Sequence, residues 1–189
     1  TNMLELNIYK TENGVKTIEK TYRASTYDLM FGTVEDFLNL INVGEATADA
    51  DLNKILIKNV GKCFDQIKPL LKEVFPGLTD DELSRTKVKE IVTVLMIIFK
   101  NALAWIESLS DGKEHQVSMF EKKKTIYQLL FEMNVNICER FTSLNPFDIR
   151  RKPAKEVFLL VKRLNEYNRN NLSSNGKKII RRPASDTWF

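Results

Sequence analysis

The stretch from Leu78 to Ile106, LTDDELSRTKVKEIVTVLMIIFKNALAWI, decides how this chain folds. Thr79 stands three residues before Glu82, so its hydroxyl can accept the amide of Glu82 while that carboxylate reaches back to the Thr79 amide, the reciprocal arrangement of a capping box. Leu78 and Leu83 sit where a hydrophobic staple would place them. Beyond the cap, Val88, Ile91, Val92, Leu95, Ile98, Phe99, Ala102, Leu103 and Ile106 recur at the i, i+3, i+4 spacing of one helix face. Met96 and Ile97 fall on other faces. The pattern predicts a helix that starts at Thr79, runs to Ile106, occupies the centre of the fold and is buried widely around its girth. Asp111-Gly112 ends the unit.

Upstream, the periodicity changes. Leu4, Leu6 and Ile8 alternate with Glu5, Asn7 and Tyr9, the period of a half-buried strand. Asn13-Gly14 is a strong hairpin turn because both residues tolerate positive φ, and Thr17–Arg23 can return as the second strand. Thr33 is expected to cap a short helix with Val34, Phe37, Leu38 and Ile41 inward and Gly44 just past its end. Asn42 to Asp51 reads as a polar loop. Asp51 is expected to cap a longer helix presenting Leu52, Ile55, Leu56, Val60, Phe64 and Ile67, which Pro69 should kink or split. Leu70, Leu71, Val74 and Phe75 continue the stripe until Pro76-Gly77 stops it.

Downstream, residues 119–141 predict another amphipathic helix, with Ile126, Leu129, Leu130, Met133, Ile137 and Phe141 inward. Asn145-Pro146 breaks it. Pro153 suits the first turn of a last helix carrying Val157, Phe158, Val161 and Leu164. From Asn168 to Gly176 the chain is polar and unpatterned, and the last twenty residues are expected to be flexible when alone. The fold class read from these patterns is mainly α: a short N-terminal β-hairpin, a helical domain and a basic C-terminal extension. The organisation is 1–112 hairpin plus helical domain, 113–169 further helices of the same body, and 170–189 a basic and aromatic tail.

With 43% hydrophobic and 29% charged residues, the 189-residue chain suits one globular body. Leu4–Ile8 and Ile91–Phe99, its most apolar stretches, fall short of the roughly 18 to 20 residues a membrane span needs. Thr1–Glu5 lacks a basic region followed by an apolar stretch, so a signal peptide is not expected. Cys63 and Cys138, without CxxC or CxxH spacing, read as buried free thiols. These features point to the cytoplasm. The charge is divided unevenly. Residues 1–149 carry 18 Lys/Arg against 22 Asp/Glu, whereas residues 150–182 carry 11 Lys/Arg against only Glu156 and Glu166.

No catalytic constellation is legible, and neither a cofactor nor a metal is expected. His115 stands alone in a polar stretch without ligand partners. Asp80, Asp81 and Glu82 are explained by the first turn of a helix, where carboxylates complement the macrodipole. None of the seven glycines forms GxGxxG or a Walker loop, and no Ser or Cys stands in a nucleophile-elbow context. The basic end admits two readings. Arg150-Arg151-Lys152, Lys162-Arg163, Lys177-Lys178 and Arg181-Arg182 could neutralise phosphates, with Phe158, Tyr167 and Trp188 stacking on bases. The favoured alternative is a charged tail that docks to a protein, anchored by Trp188 and Phe189 and steered by Lys177, Lys178, Arg181 and Arg182. Lys122-Lys123-Lys124 reads as a solvated helix face.

Several stretches resemble the tail assembly chaperones of tailed bacteriophages that infect Gram-positive bacteria. They are Leu4-Glu5-Leu6-Asn7-Ile8-Tyr9, Tyr22-Arg23-Ala24-Ser25, Thr33-Val34-Glu35-Asp36-Phe37, and Phe75-Pro76-Gly77-Leu78-Thr79-Asp80-Asp81-Glu82-Leu83 continuing into Val88-Lys89-Glu90-Ile91-Val92. Together they cover roughly residues 3–110. The resemblance implies a protein of the host cytoplasm that coats the long, helical tape measure protein and helps recruit tail tube subunits. Amphipathic client helices would lie in an apolar groove. It also implies two products: a short chaperone ending near Lys122–Lys124, and a longer form extended after a programmed ribosomal frameshift. Leu144-Asn145-Pro146-Phe147-Asp148-Ile149 looks like the Pro-Phe-acidic opening of such extensions, and lysine codons can form the slippery sequence. A frameshift product and a single frame read identically as protein. The partners expected are thus a tape measure protein and a tail tube protein, with self-association open and no membrane. A nucleic-acid-associated regulator using the basic end is the alternative.

Overall fold

The computed structural model describes residues 3–41, 49–109 and 126–170. The chain opens with strands β1 (Met3–Glu12) and β2 (Val15–Ser25), paired antiparallel. Asn13 and Gly14 join them with φ of 52° and 79°, as the turn requires. Leu4, Leu6 and Ile8 are fully buried and share a face with their partners Ala24, Tyr22 and Lys20. A register shift lies between Ile8 and Tyr9. Beyond it Tyr9 still reaches Glu90, its hydroxyl donating to Oε1 at 2.6 Å, while Val15 and Ile18 nearer the turn are exposed.

Seven helices follow among the described residues: α1 (Phe31–Ile41), α2 (Asp49–Val74), α3 (Asp80–Ser84), α4 (Val88–Glu107), α5 (Ile126–Arg140), α6 (Pro146–Arg150) and α7 (Ala154–Asn170). The fold is mainly helical with an N-terminal hairpin, as the periodicities predict. The centre is shared: α4 packs against α2, β1, α1 and α7, and the short α1 against α2, α4, α5, α6 and α7. Phe31, Thr33, Val34, Glu35, Phe37 and Leu38 are all buried, so α1 is enclosed on most sides.

Thr33 does not cap α1. The helix begins earlier, at Phe31, where the Phe31 amide donates to the Lys152 carbonyl at 2.8 Å. A tertiary partner satisfies a first-turn donor that would otherwise need a side chain. Asp51 likewise falls inside α2, which starts at Asp49. Pro69 does not split α2; the non-helical geometry lies upstream at Cys63 (φ −113°, ψ 18°). Pro69 is on the exposed side, where the carbonyl it leaves unpaired can meet solvent, and a helix bends readily in that direction.

The capping box forms as expected, with the Glu82 amide donating to Thr79 Oγ1 (3.2 Å) and the Thr79 amide to Glu82 Oε2 (2.9 Å). Leu78 and Leu83 are buried beside it. The helix it starts is short, however. Arg85 caps α3 and Thr86 leaves the helix to form a backbone bridge with Ile8 on the outer edge of β1. A continuous helix would leave that strand edge unpaired. The stripe keeps its phase: Ile91, Val92, Leu95, Ile98, Phe99 and Ala102 are buried as expected, with Val94 beside them, whereas Val88, the first residue of α4, is 49% exposed. Leu103 and Ile106 are half-buried.

In α5, Leu130 and Ile137 are buried and Met133 and Leu129 are half-buried, but Phe141, just past the helix end, is exposed. Asn145-Pro146 is more than a break. Asn145 caps α6, with its side chain accepting from the Phe147 and Asp148 amides. Pro153 precedes the first residue of α7, whose Val157 and Phe158 are buried and whose Val161 and Leu164 are half-buried. The helix continues through Asn168, Asn170 being its last residue, beyond the expected stop at Tyr167. Of the loop expected from Asn42 to Asp51, residues 49–51 are helical; residues 42–48 with Gly44, Asp111-Gly112, His115, residues 119–125 with the Lys run, and residues 171–189 lie outside the described residues, as do the side chains of Ile41, Leu52 and Ile126.

Candidate interaction surface

The segments before α1 and after α6 cross one another. Phe31 N–H donates to the Lys152 carbonyl and Ala154 N–H to the Leu29 carbonyl, both at 2.8 Å, and Met30 and Pro153 form a backbone bridge. Behind this crossing Phe158 meets the Phe31 ring edge-on at 6.0 Å and the Trp105 ring at 5.2 Å. Such aromatic contacts add to the area they bury.

Arg150 closes the crossing. Its Nη1 donates to Glu35 Oε2 at 2.5 Å and its Nη2 to the Asp36 carboxylate at 2.7 and 2.8 Å. Glu35 is almost wholly buried, and its Oε1 has no hydrogen-bond partner. Burial raises the Glu35 carboxyl above the ordinary carboxylate range, Arg150 pulls it back by charge and hydrogen bonding, and Asp36 adds a smaller upward push. Arg150 is therefore a structural cation. Its assignment to the phosphate-neutralising basic end is corrected: the chain places it between two carboxylates, where a phosphate would have to displace Glu35 and Asp36.

On the adjoining surface the end of β2, the start of α1 and the end of α2 bound an open cleft of about 520 Å³, lined among others by Arg23, Asp28, Met30, Thr33, Glu73 and Pro76. Met30 is 44% exposed there. The Thr33 hydroxyl donates to Glu73 Oε2 at 2.9 Å, tying the start of α1 to the end of α2. The cleft's lining combines charged side chains with apolar ones, Leu29, Val74 and Pro76 among them.

The carboxylates at the α3 cap are all engaged. Asp80 pairs with Lys72 (2.9 Å) and Asp81 with Arg85 (3.1 Å). Glu82 accepts from Lys20 Nζ at 2.8 Å and from both the amide and the hydroxyl of Thr79. The Tyr22 hydroxyl stands 2.8 Å from Glu82 Oε2 and 2.9 Å from the Gly77 carbonyl, giving its single proton to one of them at a time. Led by Lys20, these donors hold the Glu82 carboxyl down to about 2. Among the described residues no group of His, Cys, Asp and Glu is placed to hold a metal. Cys63 and Cys138 are free and half-buried, and burial raises the Cys138 thiol. No helix among the described residues is long and apolar enough to cross a membrane.

Of the side chains assigned to partner binding, Lys177, Lys178, Arg181, Arg182, Trp188 and Phe189 lie outside the described residues. Elsewhere Phe131, Phe147, Leu159 and Tyr167 are exposed, with Phe131 beside Tyr127 and Tyr167 under the Arg140 guanidinium. Sequence periodicity gives no sign that Glu35 is buried, since an acid beside Asp36 reads as solvated. Comparison with protein-family models, with curated proteins and with solved structures finds no match to the chain.

Proposed function

We propose that this protein is a tail assembly chaperone of a tailed bacteriophage, which binds the helical tape measure protein and helps recruit tail tube subunits in the host cytoplasm. The observation that carries the reading is the run of family-like wording over residues 3–110. Those same words build the parts that organise this fold: β1, the end of β2, the enclosed α1, and the capping box that leads into α4. The reading assigns no catalysis.

The test is co-expression of the full chain with the tape measure protein encoded beside its gene. A soluble complex containing the tape measure protein, which aggregates when expressed alone, is the expected result. A tape measure protein that stays insoluble in its presence removes the reading. Nucleic-acid binding with a steep salt dependence, set by several phosphate contacts, would favour the regulator instead.

A further inference from the structure

We infer that the solvent face of α7 is a docking surface for an acidic, amphipathic segment of a partner protein. The tape measure and tube assignments do not enter this argument. One face of α7 is spent on the core, through Val157 and Phe158. The opposite face carries Lys155, Leu159 and Lys162 at i, i+4 and i+7, with Arg163 beside them, and all four are exposed. Leu159 is 45% exposed, a large apolar side chain with a cation one turn away on either side. From Lys155 to Lys162 the rise along the helix is about 10 Å, at about 1.5 Å per residue.

These cations have little to do within the chain. Lys162 and Arg163 pair with no carboxylate among the described residues, and Lys155 rests over the Tyr27 ring at 4.1 Å while remaining at the surface. Arg151 and Lys152 are exposed at the foot of the same helix, where Lys155 also stands, and positive charge there opposes the helix dipole. Apart from the Lys155–Tyr27 contact and Glu156 in the first turn, little among the described residues offsets this charge, and an acidic partner would.

The pattern distinguishes among acidic partners. A phosphate backbone would meet the cations but offers no counterpart to the exposed Leu159 that stands between them. A protein helix with an apolar anchor and flanking carboxylates satisfies both features: the anchor covers Leu159, and its acids reach Lys155, Lys162 and Arg163. The charges would mainly set the on-rate and its salt dependence, and the leucine contact the dwell time.

The test uses the full chain and a labelled synthetic peptide helix with one leucine flanked by glutamates a turn away on each side. Its scrambled version, single- and double-stranded DNA oligonucleotides and phosphatidylserine vesicles serve as competing probes. The expected result is salt-sensitive binding of the peptide, about tenfold or more weaker after joint Lys155→Glu, Lys162→Glu and Arg163→Glu substitution and about threefold weaker after Leu159→Ala. Thermal unfolding of the triple variant reports whether it still folds; if it does not, Lys162→Glu and Arg163→Glu are read singly. Equal binding of the scrambled peptide, indifference to Leu159→Ala, tighter binding of DNA or vesicles through these same cations, or no peptide binding at all would each overturn the proposal.

Discussion

Arg150 Nη1 lies 2.5 Å from Glu35 Oε2, an ion pair that joins α6 to α1 across 115 positions of sequence. Glu35 is 1% exposed and the Arg150 side chain 32%. A buried pair of this kind contributes little beyond what an apolar pair of the same shape would, but breaking it strands a charge. Arg150→Met should therefore cost about 3 kcal/mol at neutral pH, the lower end of the range for a buried pair because the guanidinium is partly solvated. The pH dependence is the sharper expectation. Glu35 titrates above the ordinary carboxylate range in the fold, chiefly through burial. A carboxyl raised by folding contributes stability that is full below its unfolded value and lost as pH rises through its folded value. Urea unfolding across that window should show stability falling for the wild type and a flatter profile for Glu35→Gln. The Arg150→Met deficit should shrink as Glu35 becomes protonated. A deficit that does not change with pH would mean that the guanidinium acts through packing alone.

The same crossing makes one glycine indispensable and another dispensable. A Cβ at Gly32 would meet Arg150 Cβ at 3.0 Å and the Arg150 carbonyl oxygen at 3.1 Å, whereas a Cβ at Gly61, within α2, would meet nothing within 4 Å. Both are helical positions, where alanine is intrinsically favoured over glycine by roughly 0.5 to 1 kcal/mol. Gly61→Ala should raise stability by about that amount. Gly32→Ala should lower it by about 1 to 3 kcal/mol, because a backbone carbonyl cannot yield as a side chain can. Chemical denaturation of the two variants should show shifts of opposite sign; shifts of the same sign would mean that α1 and α6 are not in this contact.

Glu82 titrates the other way. Its carboxyl is lowered from 4.5 to about 2 by Lys20, the Thr79 amide and hydroxyl, and Tyr22. Stability from a carboxyl lowered by folding is present above its unfolded value and is lost as pH falls through the folded value. The difference in melting temperature between wild type and Glu82→Gln should therefore be constant above about pH 5 and close toward pH 2. Thr79→Ala should cost about 0.5 to 2 kcal/mol through the cap. A gap between wild type and Glu82→Gln that persists in acid would assign Glu82 a packing role instead.

What could be read in the sequence follows how far each feature reaches along the chain. Thr79, Glu82, Leu78 and Leu83 interact within one turn, so their spacing alone announces the cap. Asn13-Gly14 announces its turn for the same reason, as does the alternation of Leu4, Leu6 and Ile8. The break at Thr86 was invisible because its cause, the bare edge of β1 at Ile8, lies far away in sequence. Val88 fits the spacing of the stripe yet lies exposed as the first residue of α4, because periodicity does not show where a helix starts. Arg150 was read with the basic residues that follow it because its partners, Glu35 and Asp36, stand near the other end of the chain. Leu159 lies outside the apolar stripe of the last helix, and its exposure follows from the packing of Phe158 against Phe31 and Trp105 on another side of α7.

The crossing also bears on the two-product reading, in which a short form ends near Lys122–Lys124. In this fold α5, α6 and α7 supply Leu130, Ile137, Ile149, Ala154, Val157 and Phe158 to the core. The link between α6 and α7 supplies the Lys152 carbonyl that receives the Phe31 amide, and α6 the guanidinium that faces Glu35. A chain of residues 1–125 would leave one side of α1, with Phe31, and the Trp105 ring uncovered, and Glu35 without its cation. Burying each of Ile149, Val157 and Phe158 stabilises by about 1.5 to 3 kcal/mol, an amount that a domain of ordinary stability cannot readily forgo. Residues 1–125 should thus melt well below the full chain, bind an apolar dye, and form oligomers or bind a client helix on the bared face. Residues 1–170 should match the full chain in melting temperature, since every described helix is retained. Adding residues 126–170 in trans should restore the melting temperature of 1–125 and displace a bound client. A 1–125 chain that is monomeric, does not bind the dye and melts like the full chain would show that the C-terminal helices are an appendage rather than a wall of the core.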